Sequence, residues 1–230
     1  TGLSYAELST MFPNAAAEYV YVKNAFKNRL LAFLTGWLII FSGTVSIATV
    51  SLGFSSYFNA LFGFPPLLAA VILVALLSFL NFLGIKQSSR VNIVFTAVEL
   101  GGLLLVIILG FGGLGTVDYF VVPDISVLFS AAALVFFAYL GFEDIVNIAE
   151  ETKNPSKNIP RALMISIVIT TVFYVLVALA VVNLANWETL GTVEAPLAYA
   201  VSTVLGSDGF TLLSYVALFA TANTVLISLI

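Results

Sequence analysis

The chain is predicted to be an all-α membrane protein, and three observations carry that assignment. Hydrophobic residues fill 61% of its 230 positions and charged residues only 9%, against about a quarter charged in soluble domains. Its basic residues fall into short clusters, Lys23, Lys27 and Arg29, then Lys86 and Arg90, then Lys153, Lys157 and Arg161, separated by long apolar runs without Lys or Arg. The intervening connections hold acids alone, Asp118 and Asp124 in one and Glu188, Glu194 and Asp208 in another. Spans that alternate in direction produce this asymmetry, with the basic connections on the cytoplasmic side. A water-soluble protein of this composition would lack the polar surface that keeps it dispersed.

The spans follow from runs of about 20 apolar residues, the length that crosses a hydrocarbon layer of roughly 30 Å. Residues 1–12 are expected to end one span, and 13–29 to form a partly amphipathic cytoplasmic connection. Residues 30–58 make a run longer than a bilayer requires, which should tilt or project. Pro65 and Pro66 break the chain and open the next helix, to residue 83, because proline is tolerated in a first helical turn. Residues 84–90 are the second basic connection and 91–113 the next span, ended by Gly110, Gly112, Gly113 and Gly115. Residues 125–150 follow, then the third basic connection with Pro155 and Pro160. A span over 162–184, an outer segment with a short helix at 195–205, and a last run over 209–230 complete the map. Small and hydroxyl residues in the first long run, among them Gly36, Gly43, Ser51 and Gly53, are expected to mark close helix packing. Residues 1–230 read as a single transmembrane domain, and an opening residue other than Met, with no basic-then-apolar leader, suggests a piece of a longer protein.

The chain has no Cys and no His, which removes disulfides, thiol nucleophiles, imidazole bases and thiolate or imidazole metal sites. No phosphate loop, nucleophile triad or metal-ligand spacing is present. Neither a cofactor, a metal nor a nucleic-acid partner is expected, and the net charge of −4 comes from too few groups to define an acidic docking surface.

Two places remain where chemistry could sit. Glu99 lies nine residues beyond Arg90, a rise of roughly 13 Å that places it near the midplane. An ionisable residue at that depth faces a cavity or a partner, so Glu99 reads as a proton-binding or cation-coordinating carboxylate, or as a buried structural acid bonded to a neighbouring helix. The second place is the stretch from Phe136 to Asp144, where an apolar helix meets Gly141 and then Glu143 and Asp144. A helix broken near Gly141 would leave carbonyl and amide ends facing the protein interior, suited to ammonium groups and carboxylates. The other reading is a tolerated helix glycine costing about 1 kcal/mol relative to alanine.

The residues also carry a family likeness. Ser4-Tyr5-Ala6-Glu7-Leu8 with Pro13, then Glu18-Tyr19-Val20-Tyr21-Val22, resembles the end of the second helix and the following loop of amino acid permeases of the amino acid-polyamine-organocation superfamily. Gly84-Ile85-Lys86 with Ser89-Arg90-Val91-Asn92 resembles the connection into their fifth helix. Most specific is the run from Phe137 to Ala162, where Gly141-Phe142-Glu143, Glu150-Glu151, Lys153-Asn154-Pro155 and Ile159-Pro160 follow family order and spacing.

The resemblance implies a partial leucine-transporter-type inverted-repeat helix bundle. Residues 1–230 would be a single incomplete transmembrane transporter domain, from late in the second helix to the eighth. The implied function is secondary active transport of amino acids or related amines by alternating access, in the cell membrane, with the basic loops cytoplasmic. By position, Phe137, Ala138, Tyr139, Leu140 and Gly141 would contact substrate, Phe137 as an aromatic gate and Ala138 to Gly141 through an unwound backbone. Glu143 matches an acid that helps close the inner path. Glu99 stands where several proton-coupled relatives have a lysine, so it is assigned proton coupling on its own chemistry and not on theirs. Asn14-Ala15-Ala16-Ala17 replaces a run that more usually contains glycine. The implied partners are a small amine or amino acid, protons and the lipid bilayer. The alternative is a membrane-embedded receptor or structural subunit that binds an amino acid without moving it.

Overall fold

The computed structural model describes residues 1–115, 117–119, 124–139, 141–193 and 195–229, with the backbone alone of Phe137. Among these, the chain is helical without strands: α1 (Gly2–Met11), α2 (Ala17–Phe26), α3 (Arg29–Phe62), α4 (Pro66–Phe82), α5 (Ile85–Phe111), α6 (Ile125–Ala138), α7 (Asp144–Asn147), a 3₁₀ turn (Ala149–Glu151), α8 (Pro155–Leu184), α9 (Trp187–Leu190) and α10 (Pro196–Ser228). Four of the described helices, α3, α5, α8 and α10, are long and apolar enough to cross a membrane, with mean hydropathy of 2.0, 2.5, 2.7 and 1.7. The chain is a membrane protein. Two further expected runs form shorter apolar helices, Pro66–Phe82 and Ile125–Phe136.

Local chemistry sets the helix starts. Asn28 Oδ1 accepts the amides of Leu30 and Leu31 at 2.9 and 3.3 Å, which caps α3. The 34 residues of α3 rise about 51 Å, well beyond the hydrocarbon layer. Gly63 at φ +65° turns the chain, Asn59 Nδ2 closes that turn on the Phe64 carbonyl at 2.9 Å, and α4 opens at Pro66. Asp124 Oδ1 accepts the Ser126 amide at 3.0 Å at the start of α6, and hydrogen bonds from Ser126 hold that carboxyl below the usual aspartate range.

Three boundaries differ from the expectation. The second basic connection is already helix, because Gly84 at φ +116° makes the turn alone and α5 starts at Ile85. The third is likewise absorbed: Asn154, at φ +50°, turns the chain into Pro155, and α8 runs through Pro160. Pro160 sits in the second turn, where it removes one intrahelical hydrogen bond. The outer helix and the last apolar run join into α10, interrupted only at Gly206, whose φ of 67° and ψ of −153° kink the chain. That conformation is essentially restricted to glycine.

Internal packing divides the chain into two compact units, residues 1–44 with 119–172, and residues 45–118 with 173–230. In the first unit the core is Ala17 and Tyr21 of α2, Val146 of α7, Ala149, and Ile159 and Leu163 of α8, flanked by Tyr5, Phe12, Phe142 and Ile167. Gly36 of α3 lies against Tyr19, where a Cβ would come 3.5 Å from the ring.

In the second unit α10 packs along α5 and α4. One core joins Leu73 and Leu77 to Ala222, Val225 and Leu226. Another joins Val106 and Ala180 to Ala198, Val201 and Leu213. The tightest helix contacts fall at Gly102 against Val216 and Gly110 against Ala180, where no Cβ would fit. By contrast, Gly43 and Gly53 of α3 have open space beside them. The hydroxyls of Thr44 and Thr49 bond back to their own helix at Ile40 and Val45. Small residues alone thus do not locate the close contacts of α3, because they permit approach without causing it.

Candidate functional site

The first candidate region lies in the unit of residues 1–44 and 119–172. Helix α6 ends at Ala138, and the Tyr139 amide bonds to the Phe136 carbonyl at 3.0 Å in a tightened last turn. Gly141 then takes φ +105°, a backbone conformation that L side chains rarely adopt. The chain resumes as a turn, with the Asp144 amide on the Gly141 carbonyl at 3.2 Å and the Val146 amide on the Glu143 carbonyl at 2.9 Å. Of the two readings of Gly141, a break in the helix is the one observed. The second piece is short, four residues of α7 followed by the 3₁₀ turn.

Side chains fix this break. Glu143 Oε2 accepts the Gly141 amide at 3.0 Å, so the acid caps the turn two residues before it. Tyr139 donates its hydroxyl to Thr171 Oγ1 of α8 at 2.9 Å, and Thr171 bonds back to the Ile167 carbonyl at 2.7 Å. Phe142 meets the Tyr5 ring edge-on, with centroids 5.5 Å apart. Tyr5 in turn donates to Glu18 Oε1 at 2.9 Å, joining α1 to α2. Ala15 donates its amide to Glu150 Oε1 at 3.2 Å. Tyr21 is buried beneath these groups, and among the described residues its hydroxyl has no hydrogen-bond partner. Burial, and then the charge of Glu18, push its phenol up to about 12. Of the expected contact residues, Ala138, Tyr139 and Gly141 come together at the break, with the expected gating residue Glu143. Leu140 and the Phe137 side chain lie outside the described residues.

The second region lies in the unit of residues 45–118 and 173–230. Glu99 is the fifteenth of the 27 residues of α5, about 21 Å from its start, and is partly buried. The Asn223 side chain of α10 lies near its carboxyl group. Asn223, 9% exposed, also accepts from Asn92 Nδ2 at 2.8 Å and donates to Thr96 Oγ1 at 3.1 Å. One further polar link lies nearby: Ser88 donates to Asn81 Oδ1 at 2.6 Å, and Asn81 donates to the Leu226 carbonyl at 3.1 Å.

Several of these partners are not singled out by a search for charges and breaks. Asn92, Thr96 and Glu99 are spaced four and then three residues apart, which puts them on one face of α5. That spacing was available in the sequence; the pairing with Asn223 was not. Tyr139 with Thr171 has no sequence signal, since it joins residues 32 apart.

The whole chain, residues 1–230, matches the amino acid permease family. It is similar to the branched-chain amino acid permease BcaP of Bacillus subtilis (strain 168), 32% identical over 90% of this chain and 48% of that protein. It is similar to the methylthioribose transporter of the same organism, 30% identical over 98% of this chain and 53% of that protein. It also resembles the chloroplastic cationic amino acid transporter 7 of Arabidopsis thaliana, 29% identical over 90% of this chain and 40% of that protein. The chain spans about half the length of these relatives or somewhat less. With the match running from its first residue to its last, and the break at Gly141 falling inside the block that resembles the family most closely, the chain belongs to the amino acid permease family.

Proposed function

We propose that this chain is the part of a secondary transporter that contributes residues to the substrate path for an amino acid or related amine, moved across the cell membrane by alternating access. The family match over residues 1–230 carries the reading. The helix break at Gly141 supports it, because a backbone released from helix geometry exposes polar groups that an uninterrupted span would satisfy internally. In this reading, residues 1–230 form a single incomplete transporter domain. The backbone from Ala138 to Gly141 contacts substrate, with Tyr139 and Leu140 among the contact residues and Phe137 as the aromatic gate. Glu143, bonded to the Gly141 amide, holds the inner end of the break and helps close the inner path. Glu99 is the proton-coupling group, because an acid at mid-membrane depth that gains a proton loses a costly charge and changes which conformation is preferred. The basic connections face the cytoplasm.

The test is uptake of a labelled panel by the full-length parent in proteoliposomes, with and without an inward proton gradient. Because relatives are named for branched-chain amino acids, methylthioribose and cationic amino acids, the panel spans all three with polyamines added. Saturable, gradient-driven uptake that Glu99→Gln uncouples is the expected result. Binding of a panel member with neither uptake nor exchange would replace transport by reception. Full pH-driven accumulation in Glu99→Gln would remove Glu99 from coupling.

A further inference from the structure

Ile159, Leu163, Ile167 and Thr171 follow one another at steps of four along α8, which places them on one face of that helix. Ile159 and Leu163 are buried in the core of the first unit, and Ile167 flanks that core together with Phe142. Gly2 of α1 lies against the end of the Ile167 side chain, where a Cβ would overlap Cδ1. The stripe turns from apolar to polar at Thr171, about 18 Å beyond Ile159 along the helix. That is where Tyr139, the residue after the end of α6, places its hydroxyl.

The direction of each hydrogen bond at this point is fixed. A hydroxyl has one hydrogen, and a carbonyl oxygen only accepts. Thr171 gives its hydrogen to the Ile167 carbonyl at 2.7 Å, so it meets Tyr139 with its oxygen alone and accepts the phenol hydrogen at 2.9 Å. The acceptor is well anchored, because a β-branched side chain has few rotamers in a helix and the bond to Ile167 selects one. The hydrogen bonds within the break, from the Gly141 amide to Glu143 and from the Asp144 amide to the Gly141 carbonyl, span two and three residues. They set its shape. The Tyr139 bond spans 32 residues and sets its place against α8. On the other side of Gly141, Phe142 rests on the Tyr5 ring, so the break lies between an aromatic anchor on α1 and a polar one on α8.

We propose that Thr171 is a positioning residue for the substrate path: its oxygen holds the Tyr139 hydroxyl, and through it the backbone from Ala138 to Gly141, in the place that substrate binds. The proposal rests on the reading of that backbone as the substrate contact. Valine in place of Thr171 keeps the side-chain shape and removes the acceptor, which leaves the phenol facing an apolar helix surface. An unpaired hydroxyl is costly there, so Tyr139 turns towards another partner and the backbone it belongs to loses its fixed place. Substrate must then order the site as it binds. Such a loss falls on apparent affinity and leaves the maximal rate in place.

The experiment is saturation of uptake by the full-length parent in proteoliposomes, with labelled leucine, arginine or methylthioribose, whichever the parent carries. Thr171→Val should raise the half-saturating concentration about threefold to tenfold, the effect of one neutral hydrogen bond, with the maximal rate near the parent value. Thr171→Ser, which keeps the hydroxyl, should restore most of the affinity. Tyr139→Phe should act like Thr171→Val, and the double variant should be no worse than either alone, since both remove the same bond. A loss of maximal rate at unchanged half-saturation, or effects that add in the double variant, would make Thr171 a packing residue and overturn the proposal. An unchanged half-saturation in Thr171→Val, with uptake impaired in Gly141→Ala, overturns the role of Thr171 and leaves the substrate path standing. Parent-like uptake in both Gly141→Ala and Tyr139→Phe, or a parent that carries none of the three substrates, overturns the path reading and this proposal with it. Should Thr171→Val fail to insert, Thr171→Ala decides by the same criteria, because it removes the same acceptor without adding bulk.

Discussion

Gly110 of α5 lies against Ala180 of α8 so closely that a Cβ on Gly110 would overlap both the backbone and the side chain of Ala180. Asn183, one turn along α8, donates to the Gly110 carbonyl at 3.2 Å, so the same point combines close packing with a polar tie. Lipid supplies no hydrophobic drive for helices to associate, and such contacts hold the bundle together.

Gly110→Val should therefore destabilise the unit by about 1 to 3 kcal/mol through overpacking. The atoms in the way are the Ala180 backbone and its Cβ, neither of which can rotate aside. Gly101, on the same helix, has nothing within 4 Å of a Cβ, and Gly101→Ala is the matched control with little effect. Thermal unfolding of the full-length protein in detergent distinguishes the two; equal melting temperatures would show that the Gly110 contact is not what holds α5 to α8.

Gly141 at φ +105° is the conformational centre of the helix break. Alanine there should cost of order 1 to 3 kcal/mol in local strain, or shift the chain toward an unbroken helix. Uptake should fall strongly while insertion and yield stay near the parent level. Wild-type uptake in Gly141→Ala would mean that the break plays no part in the substrate path.

Tyr21 predicts an effect of opposite sign. Its buried hydroxyl has no partner among the described residues, so Tyr21→Phe removes an unsatisfied polar group and should leave stability at neutral pH unchanged or raise it by about 1 kcal/mol. The alkaline limb offers a second check. With the phenol held up to about 12 in the fold against about 10 when unfolded, the unfolded chain loses its proton first. Stability is thus lost as pH rises from about 10 towards 12, and Tyr21→Phe should flatten that loss. A marked drop in melting temperature at neutral pH would contradict the contact pattern.

Because the chain has no native cysteine, sidedness can be read directly. Single cysteines at Lys27, at the end of α2, and at Asp118, beyond α5, should label from opposite sides of intact cells, Lys27→Cys from within. Labelling of both from one side would overturn the orientation assigned by the basic clusters.

The legible part of this protein was the part governed by solvent. Apolar run lengths identified the helices that are long and apolar enough to cross a membrane, because a bilayer imposes its thickness on any sequence. Gly141 followed by two acids made a break after α6 one of two readings, since glycine and clustered charge both oppose an uninterrupted span, and the structure has the break. Boundaries near the basic connections were less legible. Gly84 and Asn154 turn the chain within a residue or two, so Lys86 and Pro160 lie inside helices where composition suggested loops.

Which residues meet was decided by tertiary structure alone. Glu99 stood out from the sequence as a costly charge, yet nothing along the chain pointed to Asn223, which bonds to Asn92 and Thr96 on the same face of α5. Likewise Gly36, Gly43 and Gly53 look alike as letters, but among the described residues only the first has a neighbour within 4 Å of a Cβ. The sequence determined that this chain lies in a membrane, which runs are apolar enough to cross it, and where a charge stands and a helix break is one of two readings. The pairing of those features with partners depends on the rotation and separation of packed helices. Those quantities arise from the sum of many side-chain contacts, and no local pattern encodes them.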